Sequence, residues 1–388
     1  MKTRFLFMMI LSFLSMTSTA QQALWGAPNL VSPEIHDNNT VTFRLLAPQA
    51  NEVKLSGDWM PSEGWVPGSV AMEKAGDDAW TYTTEVLPSE LYSYFFLVDG
   101  LRVPDPNNVH RIRDVATVSD VFLIGGGKAE LYRVNDVPHG TVARRWYDSP
   151  GNEMTRRMTI YTPPGYENSN ENYPVLYLLH GMGGDEEAWI ALGRSAQILD
   201  NLIAQGKAKP MIVIMTNGNV FQQAAPGDSP KGFYKPTMQL PNTMDGKMEA
   251  TFRDVIEFVE NNYRVKAEKE NRAIAGLSMG GFHSLHISRY YPNTFAYVGL
   301  FSPAILPDEK VKSEVYENFD ETLKTQMDNG LNLYWIGIGK TDFLYNFVED
   351  YRKKLDEMEF QYEYHETEGG HTWANWRDYL TEFVPRLF

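Results

Sequence analysis

Gly276-Leu-Ser278-Met-Gly280 sets one serine between two glycines, directly after the apolar run Ala273-Ile-Ala275 and ahead of a helix-compatible segment. A serine on such a strand-to-helix turn has its hydroxyl pushed up from the sheet edge, and its neighbours must be glycine to avoid clashes. The same turn puts the N–H of Met279 at a helix N-terminus, facing any negative charge that develops beside the hydroxyl. The pattern alone also fits a serine that merely caps a helix. A hydroxyl is a poor nucleophile unless a base takes its proton, and the base needs an orienting carboxylate. The chemistry therefore requires two more residues, an acid and then a histidine, each after a later strand.

Leu333-Tyr-Trp-Ile-Gly-Ile-Gly339 reads as a buried strand, and Asp342 follows three residues on. The next strand, Phe360-Gln-Tyr-Glu-Tyr-His-Glu366, runs into Glu368-Gly-Gly370 and then His371 at the start of the last helix. Asp342 is thus the expected acid and His371 the expected base. Asp342 also suits a helix cap, and His371 a structural role. Glu349 and Asp350 are poorer acids because they fall inside a helix. His283 and His286 lie on the helix after the serine and His365 within a strand, while His36, His110 and His139 lie outside this pattern. His180-Gly-Met-Gly-Gly184 follows the strand Val175-Leu-Tyr-Leu-Leu179. Such a loop turns a second backbone N–H toward the oxyanion, here that of Met182 or Gly181, with His180 holding the loop; a plain glycine turn is the alternative. No helical His-x-x-x-His pair with a nearby acid is present, so neither a metal nor another cofactor is expected. Together these residues predict acyl transfer, with Ser278 as nucleophile, His371 as base, Asp342 as its orienting acid, and the amides of Met279 and Met182 at the oxyanion.

The elements that must position them are those of a doubly wound α/β sheet over about 128–388. Runs at 158–161, 175–179, 211–215, 273–275, 297–301 and 333–338 read as strands, several apolar throughout as expected of strands covered on both faces. Helical segments intervene near 194–206, 248–263, 280–291, 308–328 and 344–358. The stretch 218–243, rich in Gly, Pro, Gln and Asn, is aperiodic and reads as a long loop, an active-site wall or a disordered insert. Residues 21–127 read as all-β, with strands near 40–46, 52–56, 80–86, 91–98 and 117–124 separated by turn residues, as in a β-sandwich. Gly125-Gly126-Gly127 marks a flexible boundary.

The chain has 388 residues, 43% of them hydrophobic and 13% aromatic, which suits two packed domains and not disorder. Met1 to Ala20 reads as an export signal: Lys2 and Arg4, the apolar run Phe5 to Met16, then Ser18-Thr19-Ala20. Its apolar run is too short to span a bilayer, so no membrane partner is expected after cleavage. There is no cysteine, which excludes disulfides, thiolate metal sites and a cysteine nucleophile, and an exported chain without disulfides fits a bacterial periplasm or exterior. A net charge of −15 repels nucleic acid and suits neutral partners such as polysaccharides.

Leu178-Leu-His-Gly-Met-Gly-Gly-Asp-Glu-Glu-Ala-Trp189, Asn271-Arg-Ala-Ile-Ala-Gly-Leu-Ser-Met-Gly-Gly281 and Gly369-Gly-His-Thr-Trp373 resemble family 1 carbohydrate esterases, which include feruloyl and acetyl xylan esterases. The resemblance covers about 135–388 and implies an α/β-hydrolase fold with Ser278, Asp342 and His371 as its triad. Ser56-Gly-Asp-Trp59, Leu91-Tyr-Ser-Tyr-Phe-Phe-Leu-Val-Asp-Gly100 and Pro104-Asp-Pro-Asn107 resemble family 48 carbohydrate-binding modules, which implies an immunoglobulin-like (early-set) sandwich. In that case Trp59, Trp65 and Trp80 either stack on sugar rings or pack in the core. The pairing is similar to gut Bacteroidetes feruloyl esterases acting on arabinoxylan. It implies a hydroxycinnamoyl ester of a plant polysaccharide, or a feruloylated oligosaccharide, as substrate. Trp189, Phe343, Trp373 and Trp376, with Phe221, Phe233 and Tyr234 of the long loop, are candidate walls for a phenolic acid; packing explains such aromatics equally well. Acetyl xylan, small siderophore or thioester substrates, and a sugar-binding protein with a degenerate esterase domain are the other readings.

Overall fold

The computed structural model describes residues 30–61, 67–76, 78–238 and 240–388. The expected export signal and Trp65 lie outside the described residues.

An eight-stranded mixed sheet organises the chain from residue 141 onward. Its strands are β1 (Thr141–Ser149), β2 (Met154–Thr162), β3 (Val175–Leu179), β4 (Ile212–Thr216), β5 (Arg272–Leu277), β6 (Tyr297–Phe301), β7 (Leu333–Gly339) and β8 (Glu363–Thr367), in the order β1-β2-β4-β3-β5-β6-β7-β8. β1 and β2 form an antiparallel hairpin, β2 meets β4 antiparallel, and every later pairing is parallel. Helices α1 (Ala188–Ala191), α2 (Ser195–Ala204), α3 (Lys247–Ala250), α4 (Phe252–Asn262), α5 (Met279–Tyr290), α6 (Phe319–Asp328), α7 (Tyr345–Glu357) and α8 (Trp373–Phe383) cover it. Alternate residues of the central strands supply two separate cores. Tyr177, Ile214, Ile274, Val298 and Ile336 face α3 to α7, whereas Leu176, Val213, Ala275, Phe301 and Trp335 face α1, α2 and α8. That double coverage is why the central strands are apolar throughout. Helix α4 shows the matching pattern, with Phe252, Val255, Ile256 and Val259 buried at helical spacing.

The β region before it is two antiparallel sheets around one core, to which Val41, Phe43 and Leu45 of one sheet and Val53, Leu55, Tyr94, Phe96 and Phe122 of the other contribute. Trp80 is buried with its indole N–H donated to Ala47 O, and Trp59 stacks on Phe43 and meets Tyr92 and Phe122 edge-on. Of the two readings open for these tryptophans, the structure gives the core one. At the expected flexible boundary, Gly126 is held by hydrogen bonds on both its N–H and its carbonyl. Gly126 N–H donates to Glu130 Oε1 and Gly126 O accepts from Ser89 Oγ, while Ala129 and Tyr132 are already fully buried in the hydrolase core. The two regions are further joined by Arg377 of α8. Its guanidinium donates twice to Glu90 Oε1, at 3.0 and 2.9 Å, with both side chains buried. Breaking such a pair from one side is costly because it strands a buried charge.

No helix among the described residues is long and apolar enough to cross a membrane.

Candidate active site

The strand registers bring the candidate residues to one edge. Leu179 of β3 lies opposite Gly276 of β5, Leu277 opposite Phe301 of β6, and Gly339 of β7 opposite Thr367 of β8. The loops that follow all leave the sheet at its C-terminal end.

Ser278 stands between β5 and α5 with φ 53° and ψ −114°, a conformation that L residues rarely hold. Its N–H donates to Phe301 O at 2.8 Å, and its carbonyl accepts from Phe282 and Ala304. Both flanking glycines are required by close packing. A Cβ on Gly276 would lie 2.4 Å from the backbone of Gly280, and one on Gly280 would lie 2.4 Å from Leu179 O. Next to the serine, a Cβ on Gly181 would lie 2.5 Å from Leu277 Cδ1 and 3.3 Å from Ser278 Cβ. The His180–Gly184 loop is therefore in contact with the turn that carries the hydroxyl. The N–H groups of Met279 and Met182 meet no acceptor among the described residues, which leaves them available to an oxyanion.

Asp342 and His371 form the second half of the arrangement. His371 Nδ1 is 2.9 Å from Asp342 Oδ2 and 3.1 Å from Oδ1. Asp342 Oδ1 also accepts from Leu344 N–H at 2.9 Å, and Thr341 N–H bonds Gly369 O, so the two loops are tied together by backbone as well. With Nδ1–H turned to the carboxylate, Nε2 is the nitrogen left to take a proton. The Ser278 hydroxyl makes no hydrogen bond among the described residues. Bonds of this kind commonly close only around substrate.

The aromatic residues expected to wall the site divide into two sets. Trp189 is 1% exposed and gives its indole N–H to Leu179 O at 2.9 Å. Trp376 is buried as well, and the rings run edge-to-face from His371 to Trp376, Trp373 and Trp189 at centroid spacings of 4.9, 5.2 and 5.4 Å. Trp189 and Trp376 are thus corrected from wall to brace: a continuous aromatic chain links His371 to the strand that ends in the His180 loop. Trp373 is half-buried within it. Phe343 remains a wall candidate, 54% exposed with its ring centroid 4.6 Å from that of His371. Phe221 and Phe233 of the long loop are exposed too, whereas Tyr234 is half-buried. Among its described residues the loop carries no helix or strand between Thr216 and Lys247.

Burial pushes the His180 imidazole down to about 4. Its Nε2 accepts from Gly218 N–H at 2.8 Å, so Nδ1 carries the proton and donates to Gly181 O at 2.7 Å. Neutral His180 is therefore the bolt between the His180–Gly184 loop and the long loop. The unfolded chain takes up a proton on this side chain near pH 6.5, and the folded chain does so only near 4. The stability it contributes is complete above pH 6.5 and is lost as pH falls toward 4, in total roughly 3 kcal/mol. The expected result is that His180→Gln removes this dependence. The wild-type-minus-variant difference in urea unfolding free energy should shrink by about that amount across the window, and a constant difference would contradict the assignment.

One supporting residue had no visible signal in the sequence. Glu186, fully buried, accepts from Arg157 Nε (2.7 Å), Asn217 Nδ2 (3.0 Å) and Ala225 N–H (2.8 Å), and burial raises its carboxyl above the usual range. It fastens the segment after the His180–Gly184 loop to β2 and to the long loop. In the run Asp185-Glu186-Glu187 it reads as one more solvated acid. No group of three or more His, Cys, Asp or Glu among the described residues is arranged to hold a metal.

A strained serine at a strand–helix turn, an Asp–His pair from later loops of the same edge, and this strand order together define the α/β-hydrolase class. The chain belongs to the Esterase family, whose model, described as "Putative esterase", matches residues 149–387. The endo-1,4-beta-xylanase/feruloyl esterase of Xylanibacter ruminicola is 31% identical over 294 residues, covering 74% of this chain and 38% of that protein. An esterase of Mycobacterium tuberculosis is 31% identical over 216 residues, 54% of this chain and 41% of its own length. The chain thus spans well under half of these curated relatives. Among solved structures, a CE1 ferulic acid esterase from Anaeromyces mucronatus in complex with ferulic acid superposes with a TM-score of 0.53 at 23% identity, over 66% of this chain and 93% of that one. The enterobactin esterase of Shigella flexneri superposes with a TM-score of 0.60 at 16% identity, over 89% and 92%. These likenesses show the fold, and the second extends it across the β region. The resemblance drawn from the three sequence motifs to carbohydrate esterases is upheld.

Proposed function

We propose that the protein is an exported serine carboxylesterase that releases a hydroxycinnamic acid, such as ferulate, from plant cell-wall polysaccharide. The observation that carries the reading is the Ser278 turn, strained and flanked by the unpaired amides of Met279 and Met182, on the same edge as the Asp342–His371 pair. In the first half-reaction Ser278 Oγ attacks the ester carbonyl and His371 Nε2 takes its proton. The tetrahedral oxyanion is held by the two amides, and the C–O bond to the sugar breaks as His371 returns the proton to the leaving alcohol. Water then adds to the acyl-enzyme with His371 again as base, and the carboxylic acid departs with Ser278 restored. Asp342 keeps Nε2 as the basic nitrogen and offsets the charge of the imidazolium.

Two observations support a phenolic acyl group. The exposed ring of Phe343 lies beside His371, and the chain is similar to a relative named as both xylanase and feruloyl esterase. The net charge of −15 suits a neutral polysaccharide. The β region, read as an early-set sandwich of the carbohydrate-binding type, belongs to the same proposal. Export by residues 1–20 does too. Purified enzyme compared on methyl ferulate and on acetylated xylan tests the acyl assignment. The expected outcome is a kcat/KM on methyl ferulate well above that for acetate release. Brisk deacetylation with no ferulate release would overturn it in favour of an acetyl esterase.

A further inference from the structure

The β region does more than sit in front of the hydrolase sheet. Strands Arg111–Asp114 and Thr117–Ile124 pair antiparallel and are joined by the two-residue turn Val115-Ala116. This hairpin packs beside α1, at the end of the His180–Glu187 segment. Val115 sits at its tip with φ 49°, a left-handed conformation that a β-branched side chain seldom adopts. Its methyl groups press on Gly183, where an added Cβ would lie 2.8 Å from Val115 Cγ2 and 3.1 Å from Met238 of the long loop. Gly183 itself has φ 78°, so both conformation and space demand glycine there.

One guanidinium links the two. Arg113 Nη1 donates to Val115 O at 3.0 Å, and Nη2 donates to the Oδ2 of Asp185 in a close ion pair. Asp185 is almost fully buried, and its Oδ1 accepts from Glu187 N–H at 3.0 Å. Arg113 thus fixes the hairpin tip with one nitrogen and the C-terminal end of the oxyanion loop with the other. At the opposite side of the site, Glu90 of the same β region holds Arg377 of α8, the helix that carries Trp373 and Trp376 behind His371.

We propose that the hairpin tip of the β region is a clamp on the oxyanion loop, and that Arg113, Val115 and Asp185 are positioning residues for ester hydrolysis. The proposal rests on Met182 being an oxyanion donor. An amide that must meet charge only in the transition state is useful only if it is held still beforehand; His180 bolts the start of this loop, but its three glycines in five residues leave the Gly183 side to be held from outside. The clamp supplies what the glycines give up. It acts on the bond-making step and makes no contact that would bind ground-state substrate, so its loss is expected in kcat and not in KM.

The test uses the full chain. Arg113→Met is expected to lower kcat on methyl ferulate at least tenfold, with KM within about twofold and the thermal midpoint within a few degrees of wild type. Arg113→Lys, which keeps the charge but loses the forked contact, is expected to fall between them. Arg113→Met with Asp185→Asn removes the stranded charge should the single variant unfold, and is expected to show the same kcat loss in a folded protein. A folded Arg113→Met, alone or with Asp185→Asn, that keeps wild-type kcat would overturn the clamp. So would a uniform loss recovered in full once the fraction of folded enzyme is counted. Labelling by a fluorophosphonate probe separates this failure from failure of the site itself. If wild type labels at Ser278 and Arg113→Met keeps its kcat, only the clamp fails. If Ser278→Ala still turns over ester, the site reading fails first.

Discussion

Ser278→Ala is expected to lower kcat on methyl ferulate by about 10⁵–10⁶-fold while leaving the unfolding free energy within about 0.5 kcal/mol of wild type. The size of the loss follows from covalent catalysis: without Oγ no acyl-enzyme forms, and what remains is the effect of the oxyanion amides on direct attack by water. Stability is spared because the hydroxyl makes no hydrogen bond among the described residues and alanine keeps the Cβ. The backbone strain at φ 53° and ψ −114° belongs to the residue and not to the hydroxyl. Ser278→Gly therefore gives a second, opposite signature. It should be equally inactive but more stable, by roughly 1–2 kcal/mol, because glycine occupies that conformation with little penalty. Inactivity with unchanged stability in alanine, and inactivity with gained stability in glycine, is the pattern of a site that holds strain for function. If Ser278→Ala keeps activity within tenfold of wild type, the nucleophile is elsewhere.

Asp342→Asn is expected to cost about 10⁴ in kcat with little change in fold. The asparagine oxygen can still accept from Leu344 N–H, so the turn after β7 is retained. Its amide, however, offers a donor to His371 Nδ1 where the carboxylate offered an acceptor. The imidazole then moves its proton to Nε2, the nitrogen that has to receive the serine proton, and the base is lost. The buried carboxylate also balances the imidazolium of the transition state, a contribution the neutral amide cannot replace. Single-turnover measurements on methyl ferulate check this directly. A loss of less than about tenfold would point to Glu349 or Asp350 as the orienting acid, although both lie inside α7.

The sequence carried the parallel part of the hydrolase sheet well because those strands are buried on both faces and read as unbroken apolar runs. Arg272–Leu277 and Leu333–Gly339 needed no partner to be seen. Strand β1 was missed for the converse reason. It is an edge strand whose Thr141-Val-Ala-Arg-Arg-Trp146 is mostly exposed, so its composition carries the signal of a surface. The candidates Ser278, Asp342 and His371 could be picked out because the proposed chemistry fixes their order along the chain and each follows a strand that is itself legible. The tryptophans were not, since an indole packed behind a site and one lining it have the same sequence signature; only the burial of Trp189 and Trp376, with the donation of Trp189 Nε1 to Leu179 O, separates them. Least visible was the hairpin at Arg111–Asp114. Four residues, three of them charged, look like a solvated turn, and nothing local shows that Arg113 faces Asp185 across 72 positions. Contacts set by tertiary folding leave no periodicity to read.

The most direct test of the account is to trap the acyl-enzyme. Wild-type protein, mixed with excess methyl ferulate and quenched in acid within the first turnovers, should carry a single feruloyl adduct. Proteolysis and mass spectrometry should place that adduct on the peptide containing Ser278, and the Ser278→Ala protein should carry none. An adduct on any other residue would contradict the assignment of Ser278. So would continued turnover by Ser278→Ala under the same conditions.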